Sequence, residues 1–448
     1  MLLSNLACQV REMPAARRVG RVREVIGLRL TVAGLDRALG VGAICAVRGA
    51  HGEVAGEVVG ADQRGAHLLP YGSWEGVGPG DEVELLPASA SFRPGPGWIG
   101  RVVDALGRPL DGRGPLPTDA PQRARNASAP EAFARGEVGA RIETGVKALD
   151  VFAPLSAGQR MGIFAGSGVG KSTLLAMLAK QAEADVIVVA LVGERGREVR
   201  DFIETALGPE GMARSVLVVA TGDQAPLMRR QAALTATSVA EAFRDAGRNV
   251  LLMVDSVTRF AHAHREIGLS LGEPPAARGY PPTVFSELPR LMERAGPGGP
   301  GQGAITALYT VLVDGDDLND PIVDAVRGTL DGHIVLSRRI SEQGRFPAVD
   351  VEKSLSRMLP GCHSPQENIV LNAAKRAISR YSDMEDLIRL GAYSTGTDAE
   401  LDRAIKVARA AEGFLNQDKG GKVPAAEAFA GLAKILDEAG WPLEAPAG

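Results

Sequence analysis

Aromatic residues are scarce: Phe, Trp and Tyr make up 4% of the 448 residues, and only Tyr71 and Trp74 fall within the first ninety. Two exposed-looking aromatics are too few for a platform that stacks nucleic-acid bases. Cysteine is scarcer still. Cys8, Cys45 and Cys362 are far apart and odd in number, which excludes a disulfide framework and a cysteine-built zinc site and suits a reducing compartment. There is no excess of one charge, the net being −4 with an isoelectric point near 6.0. No overall basic field therefore attracts nucleic acid or anionic lipid. No apolar run approaches about 18 residues, and no basic-then-apolar leader opens the chain. The expectation is a cytoplasmic, soluble protein. Glycine, by contrast, is abundant at 55 residues, so any glycine-rich motif has to be judged by its context.

The length exceeds one ordinary core, and two or three domains are expected. Residues 1–19 carry Leu3, Leu6, Ala7 and Val10 at helical spacing, stopped by Pro14. This segment is either a small amphipathic helix that docks a partner or a frayed end. Residues 20–90 change to short alternating runs, with Leu28, Leu30 and Val32 on one face and Gly/Pro/Asp turns between runs, which suggests a small antiparallel β-barrel. Residues 91–135 are rich in Pro and Gly and read as a linker wrapping onto the next domain. Up to about residue 360, apolar runs at 160–164, 186–192, 216–220, 250–254 and 304–313 alternate with helical patterns, which argues an α/β domain with a mostly parallel sheet. Residues 361–448 read as a helical domain, with helical periodicity over 366–391 and 398–416.

The strongest chemical signal follows the run at 161–164. Gly166, Ser167, Gly168, Val169 and Gly170 lead into Lys171, Ser172 and Thr173, which open a helix. Glycines there let successive backbone N–H groups curl around a phosphate, Lys171 adds a point charge, and Ser172 offers a hydroxyl to Mg²⁺. The helix N-terminus favours the anion further. Ala165 stands where this pattern usually has its first glycine, a position that shapes the turn more than it touches phosphate. A second strand, residues 250–254, ends in Asp255, a carboxylate suited to the Mg²⁺ hydration shell. A third, 186–192, ends in Gly193 and Glu194, which can orient or activate water; Glu198 is a nearby second carboxylate.

These segments, with 272–282, 315–321 and 330–338, resemble the rotary F/V-type ATPase superfamily, and more narrowly the ATPases of flagellar type III protein export. The resemblance runs over roughly residues 20–415. It implies a β-barrel, a RecA-like P-loop core binding ATP and Mg²⁺, and a C-terminal helical domain, assembled as a homo-hexameric ring. It implies Glu194 as the catalytic carboxylate with Lys171, Arg195 and Arg259 near the γ-phosphate, and Arg357 as the arginine finger given to a neighbouring subunit. It implies Phe346 as an adenine-stacking ring and Phe414 as a second wall of that pocket. Implied partners are a regulatory stator protein at the N-terminal segment, a central stalk protein, an export-gate membrane protein and chaperone–substrate complexes. Nucleic acid is not among them, and any membrane association at the inner membrane is peripheral and made through partners.

Other signals carry less. His262 and His264 are two apart on a helical stretch and do not share a face, which argues against a metal pair. The acidic run 314–320 lacks the glycine and distal glutamate of a calcium loop, and Ser167 lacks the flanking glycines of a hydrolase elbow. The competing functions are the homologous ATPase of a virulence injectisome, a rotary synthase catalytic subunit, a noncatalytic nucleotide-binding subunit and an RNA translocase.

Overall fold

Residues 18–35, 39–86, 92–313, 315, 317 and 319–443 are described by the computed structural model. Apart from Arg18 and Val19, the candidate docking segment 1–19 lies outside these residues, as does Cys8. The chain divides into two compact units. One holds the strands up to Leu85 together with residues 224–227 and 266–274; the other holds the remainder from Phe92 onward.

In the first unit six antiparallel strands close into a barrel, in the order Val19–Ile26, Arg29–Ala33, Gly65–Pro70, Gly52–Asp62, Ile44–Gly49 and Glu82–Leu85. Closure leaves no unpaired edge. Leu30, Val32, Val47, Val58, Leu68 and Val83 fill the interior. The expected apolar face holds for Leu30 and Val32, whereas Leu28 lies in the turn after the first strand, with 38% of its surface exposed. Trp74 also departs from its exposed look. It is buried, and its indole N–H donates to the Leu28 carbonyl at 2.8 Å. A large ring with one polar handle is fixed by that bond, as buried tryptophan requires.

The second unit is built on a nine-stranded sheet. From one edge its order is Val349–Ser356, Gly332–Leu336, Arg160–Ala165, Ala304–Leu312, Val250–Asp255, Val186–Glu194, Ser215–Thr221 and Val102–Asp104, with Gly296–Pro297 paired beside Ala304–Leu312. The pairs are parallel except those made by Val349–Ser356 and Gly296–Pro297. Strands such as Val250–Asp255 are buried along their whole length, as expected where helices cover both faces. Parallel pairing brings the C-terminal ends of the strands to one edge, where α/β proteins carry their ligands.

After Gly361 the chain is helical: Pro365–Ser382, Glu385–Arg389, Ala399–Leu415 and Ala425–Glu438. Ser364 opens the first with a reciprocal cap, its hydroxyl accepting from Glu367 N–H and its own N–H donating to the Glu367 carboxylate. Asp398 caps Ala399–Leu415 by accepting from Glu400 and Leu401. Leu371, Leu401, Leu432 and Leu436 join Leu149, Phe152, Met161, Ile163 and Leu174 in one hydrophobic core. No described helix is long and apolar enough to cross a membrane.

Candidate active site

Three strand ends assemble the site. The Arg160–Ala165 strand leads into the glycine loop, and Lys171 begins the helix Lys171–Gln181 with Gly170 as its N-cap, at φ +95°. Gly168 has φ +80°, and a Cβ built there would meet no protein atom within 4 Å. The loop is therefore open where a phosphate would enter, and both angles favour glycine. The Val169 side chain is buried beneath the loop, so Val169 can serve a phosphate only through its backbone.

Leu191 pairs with Asp255, so Glu194 extends three residues beyond the Asp255 strand. A register shift between Val192 and Glu194, with Gly193 at φ +71°, redirects the chain at that point. A Cβ on Gly193 would lie 3.0 Å from the Arg259 side chain, so glycine also admits that arginine. Lys171 Nζ donates to Asp255 Oδ1 and, at 3.4 Å, to Glu194 Oε1. Thr310 Oγ1 donates to the same Asp255 oxygen at 2.7 Å. The Arg259 Nε is buried and has no hydrogen-bond partner.

Burial pushes the Glu194 carboxyl up to about 7; Lys171 opposes the rise, while the charge of Asp255 and a hydrogen bond with Glu198 reinforce it. Burial alone would lower Lys171, but Asp255 and Glu194 outweigh it and hold the ammonium above the usual lysine range. The site thus keeps a firm cation beside a carboxyl poised near neutrality. Groups tuned in this way mark working sites more often than structural ones.

The other expected residues are spread more widely. Ser172 is exposed and Thr173 half-buried in the first turn of the helix. Phe346 is 39% exposed, and a Cβ on Gly170 would lie 3.7 Å from its ring. Arg195 is largely solvated, its guanidinium 3.7 Å from Glu198. Phe414 packs against Gly431, with Lys147 Nζ 4.7 Å above its ring. Arg357 is exposed and follows Ser356, which pairs with Gly332. Leu336, four residues beyond Gly332, pairs with Ala165 just before the glycine loop. At about 3.3 Å per residue, Arg357 leaves the sheet roughly 13 Å from the loop, at the opposite end.

Sequence reasoning gave no role to Thr310, or to Arg338 at the end of the segment 330–338, whose Nη2 donates to the Ser167 carbonyl at 3.2 Å. The apolar run 304–313 holds two threonines, Thr306 and Thr310, and only the strand's C-terminal end favours the second.

A glycine loop that opens a helix at the C-terminal edge of a parallel sheet, with carboxylates brought to the same edge, defines a P-loop nucleoside-triphosphatase. The family model for the ATP synthase alpha/beta nucleotide-binding domain matches residues 145–356, and that for the T3SS EscN ATPase C-terminal domain matches 364–434. The flagellum-specific ATP synthase of Caulobacter vibrioides is 52% identical over 423 residues, spanning 93% of this chain and 95% of that protein. The type 3 secretion system ATPase of Xanthomonas euvesicatoria is 45% identical over 419 residues, spanning 93% and 94%. Among solved structures, the assembled ATPase EscN of the enteropathogenic E. coli type III secretion system superposes with a TM-score of 0.87 at 40% identity, covering 93% of this chain and all of that one. EscN in complex with its central stalk EscO superposes with a TM-score of 0.83 at 40% identity and the same coverage. The chain belongs to the family of flagellum-specific and type III secretion ATPases, and it is an ATPase.

Proposed function

We propose that this ATPase energises protein export by a flagellar type III apparatus, with Glu194 activating water and Lys171 holding the β- and γ-phosphates. The observation that carries the catalytic reading is the contact of Lys171 with both Asp255 and Glu194 at one sheet edge. Phosphoryl transfer needs positioning and charge stabilisation more than covalent chemistry. As ATP enters, the Lys171 ammonium is shared with the phosphates, and its hold on Asp255 weakens. Arg259, with its buried unpartnered Nε, supplies positive charge near the γ-phosphate, and Arg195 has the freedom to join it. The Glu194 carboxylate accepts a proton from the attacking water.

The donor set fits Mg²⁺, which takes few protein ligands and several waters: the exposed Ser172 hydroxyl at the start of its helix, and the Asp255 carboxylate at the end of its strand. When bound, the ion would neutralise phosphate charge. Phe346, beside Gly170, supports an adenine seat next to the loop, with Phe414 further out against the C-terminal helices.

The position of Arg357 supports a ring. Standing roughly 13 Å from its own glycine loop along the sheet, it suits a finger offered to a neighbouring copy, and EscN is described as an assembled ATPase. We take the assembly to be a homo-hexamer around a central stalk, as the EscN–EscO complex suggests by likeness. Stator, export-gate and chaperone–substrate partners, and peripheral attachment at the inner membrane, follow from the same reading. The flagellar system is favoured over the injectisome because the relative named flagellum-specific reaches 52% identity, against 45% for the one named for type 3 secretion.

The test compares two variants. Glu194→Gln keeps ATP binding and loses turnover by about 10²-fold or more, whereas Lys171→Ala loses nucleotide affinity by about ten- to a hundred-fold. Near-normal steady-state phosphate release from Glu194→Gln would remove it from the catalytic role.

A further inference from the structure

The Phe346 backbone is gripped on both of its polar groups. Its N–H donates to Asn416 Oδ1 at 3.0 Å, and its carbonyl accepts from the Gln417 N–H at 2.7 Å. Both partners lie just past the end of the helix Ala399–Leu415. The preceding residue, Arg345, is buried and forms an ion pair at 2.7 Å with Glu412 on that same helix. The loop carrying Phe346 is thus tied to the helix and its exit at three points.

The exit is itself held firmly. Gln417 is buried, and its side chain accepts from the Lys147 N–H at 3.0 Å while donating to the carbonyls of Gly145, at 2.6 Å, and Gly421. Lys147 Nζ donates to the carbonyls of Phe414 and, at 3.0 Å, Asn416. These are the carbonyls that a helix end leaves without intrahelical partners, and a cation there also favours the negative end of the helix dipole. Gly145 is fixed in turn by donating to the buried Asp150 carboxylate at 3.0 Å. A continuous set of bonds therefore runs from the Asp150 turn through Gln417 to Phe346.

We propose that Asn416 and Gln417 are positioning residues for base binding, setting the Phe346 ring beside the glycine loop from the end of the helix Ala399–Leu415. This rests on the reading of Phe346 as the adenine contact. A ring on an exposed loop loses freedom when it stacks on a base, and a loop held in place beforehand loses less. The bonds of both residues go to Phe346, Gly145, Lys147 and Gly421, so their effect falls on nucleotide affinity and depends on the presence of a base.

The experiment uses the full chain with Asn416→Ala, Asn416→Asp and Phe346→Ala, and measures KM and kcat for ATP and dissociation constants for ADP and pyrophosphate. Asn416→Ala should raise KM and the ADP dissociation constant about five-fold, the equivalent of one ordinary hydrogen bond. Turnover at saturation and pyrophosphate binding should stay close to the parent values. Asn416→Asp keeps an acceptor oxygen for the Phe346 N–H and should restore most of the affinity. Equal weakening of ADP and pyrophosphate by Asn416→Ala would overturn the proposal, since general loosening does not distinguish a base. If Phe346→Ala weakens ADP while Asn416→Ala does not, the grip is irrelevant and the adenine reading stands. If Phe346→Ala leaves ADP binding unchanged, the adenine reading itself falls.

Discussion

Lys171 has two carboxylates within reach, and the two respond differently to it. Asp255 shares its Oδ1 between Lys171 and Thr310, whereas Glu194 meets the lysine at 3.4 Å and is pushed up to about 7, first by burial. A base is useful in its deprotonated form, and a raised value means that protonation begins near neutrality. Turnover efficiency should therefore fall as pH drops through about 7, close to ten-fold per pH unit below it, where an ordinary glutamate would hold its activity to near pH 5. The measurement is kcat/KM against pH, which reports the free enzyme. Glu198 raises Glu194 through a hydrogen bond and its charge, so Glu198→Gln should move the acid limb to lower pH. A limb that stays in place in that variant would assign it to another group.

The Arg160–Ala165 and Val250–Asp255 strands were legible because an unbroken apolar run that stops at a glycine loop or an aspartate is the pattern of a buried parallel strand reaching its ligand-bearing edge. The reach of Glu194 beyond Asp255 was not, because it depends on Leu191 pairing with Asp255, and register is set by pairing between distant segments. Val349–Ser356 escaped as a strand for a related reason. It is an edge strand carrying Glu352 and Lys353, its burial follows no clean alternation, and only its pairing with Gly332–Leu336 identifies it. The helix Ala425–Glu438 could have been read from Ala428, Phe429, Leu432 and Leu436 at helical spacing. Leu432 is fully buried in the core that also holds Leu149 and Leu174, so Leu432→Ala should cost about 2–5 kcal/mol. Calorimetry should show the main transition of the sheet-bearing unit moving down. A separate small transition shifting alone would mean that the C-terminal helices melt independently.

At the scale of the whole molecule, the glycine loop and the proposed finger Arg357 lie at opposite ends of one sheet. The glycine loop leaves the sheet at the Ala165 and Leu336 end, and Arg357 leaves at the Gly332 end. No side-chain rotation spans that separation, and the strands between are buried and fixed. A finger arginine supplied by a neighbour is worth roughly 10³–10⁵ in rate, so activity should rise steeply with protein concentration as copies associate. Arg357→Ala should retain ATP binding and lose most turnover. The decisive measurement mixes two inactive proteins, Arg357→Ala and Glu194→Gln. A mixed ring contains interfaces where an intact Glu194 faces an intact Arg357, and phosphate release should recover partly at those interfaces. Mixed rings verified by distinguishable tags yet lacking any recovery would show that Arg357 acts within its own chain or has no part in the reaction.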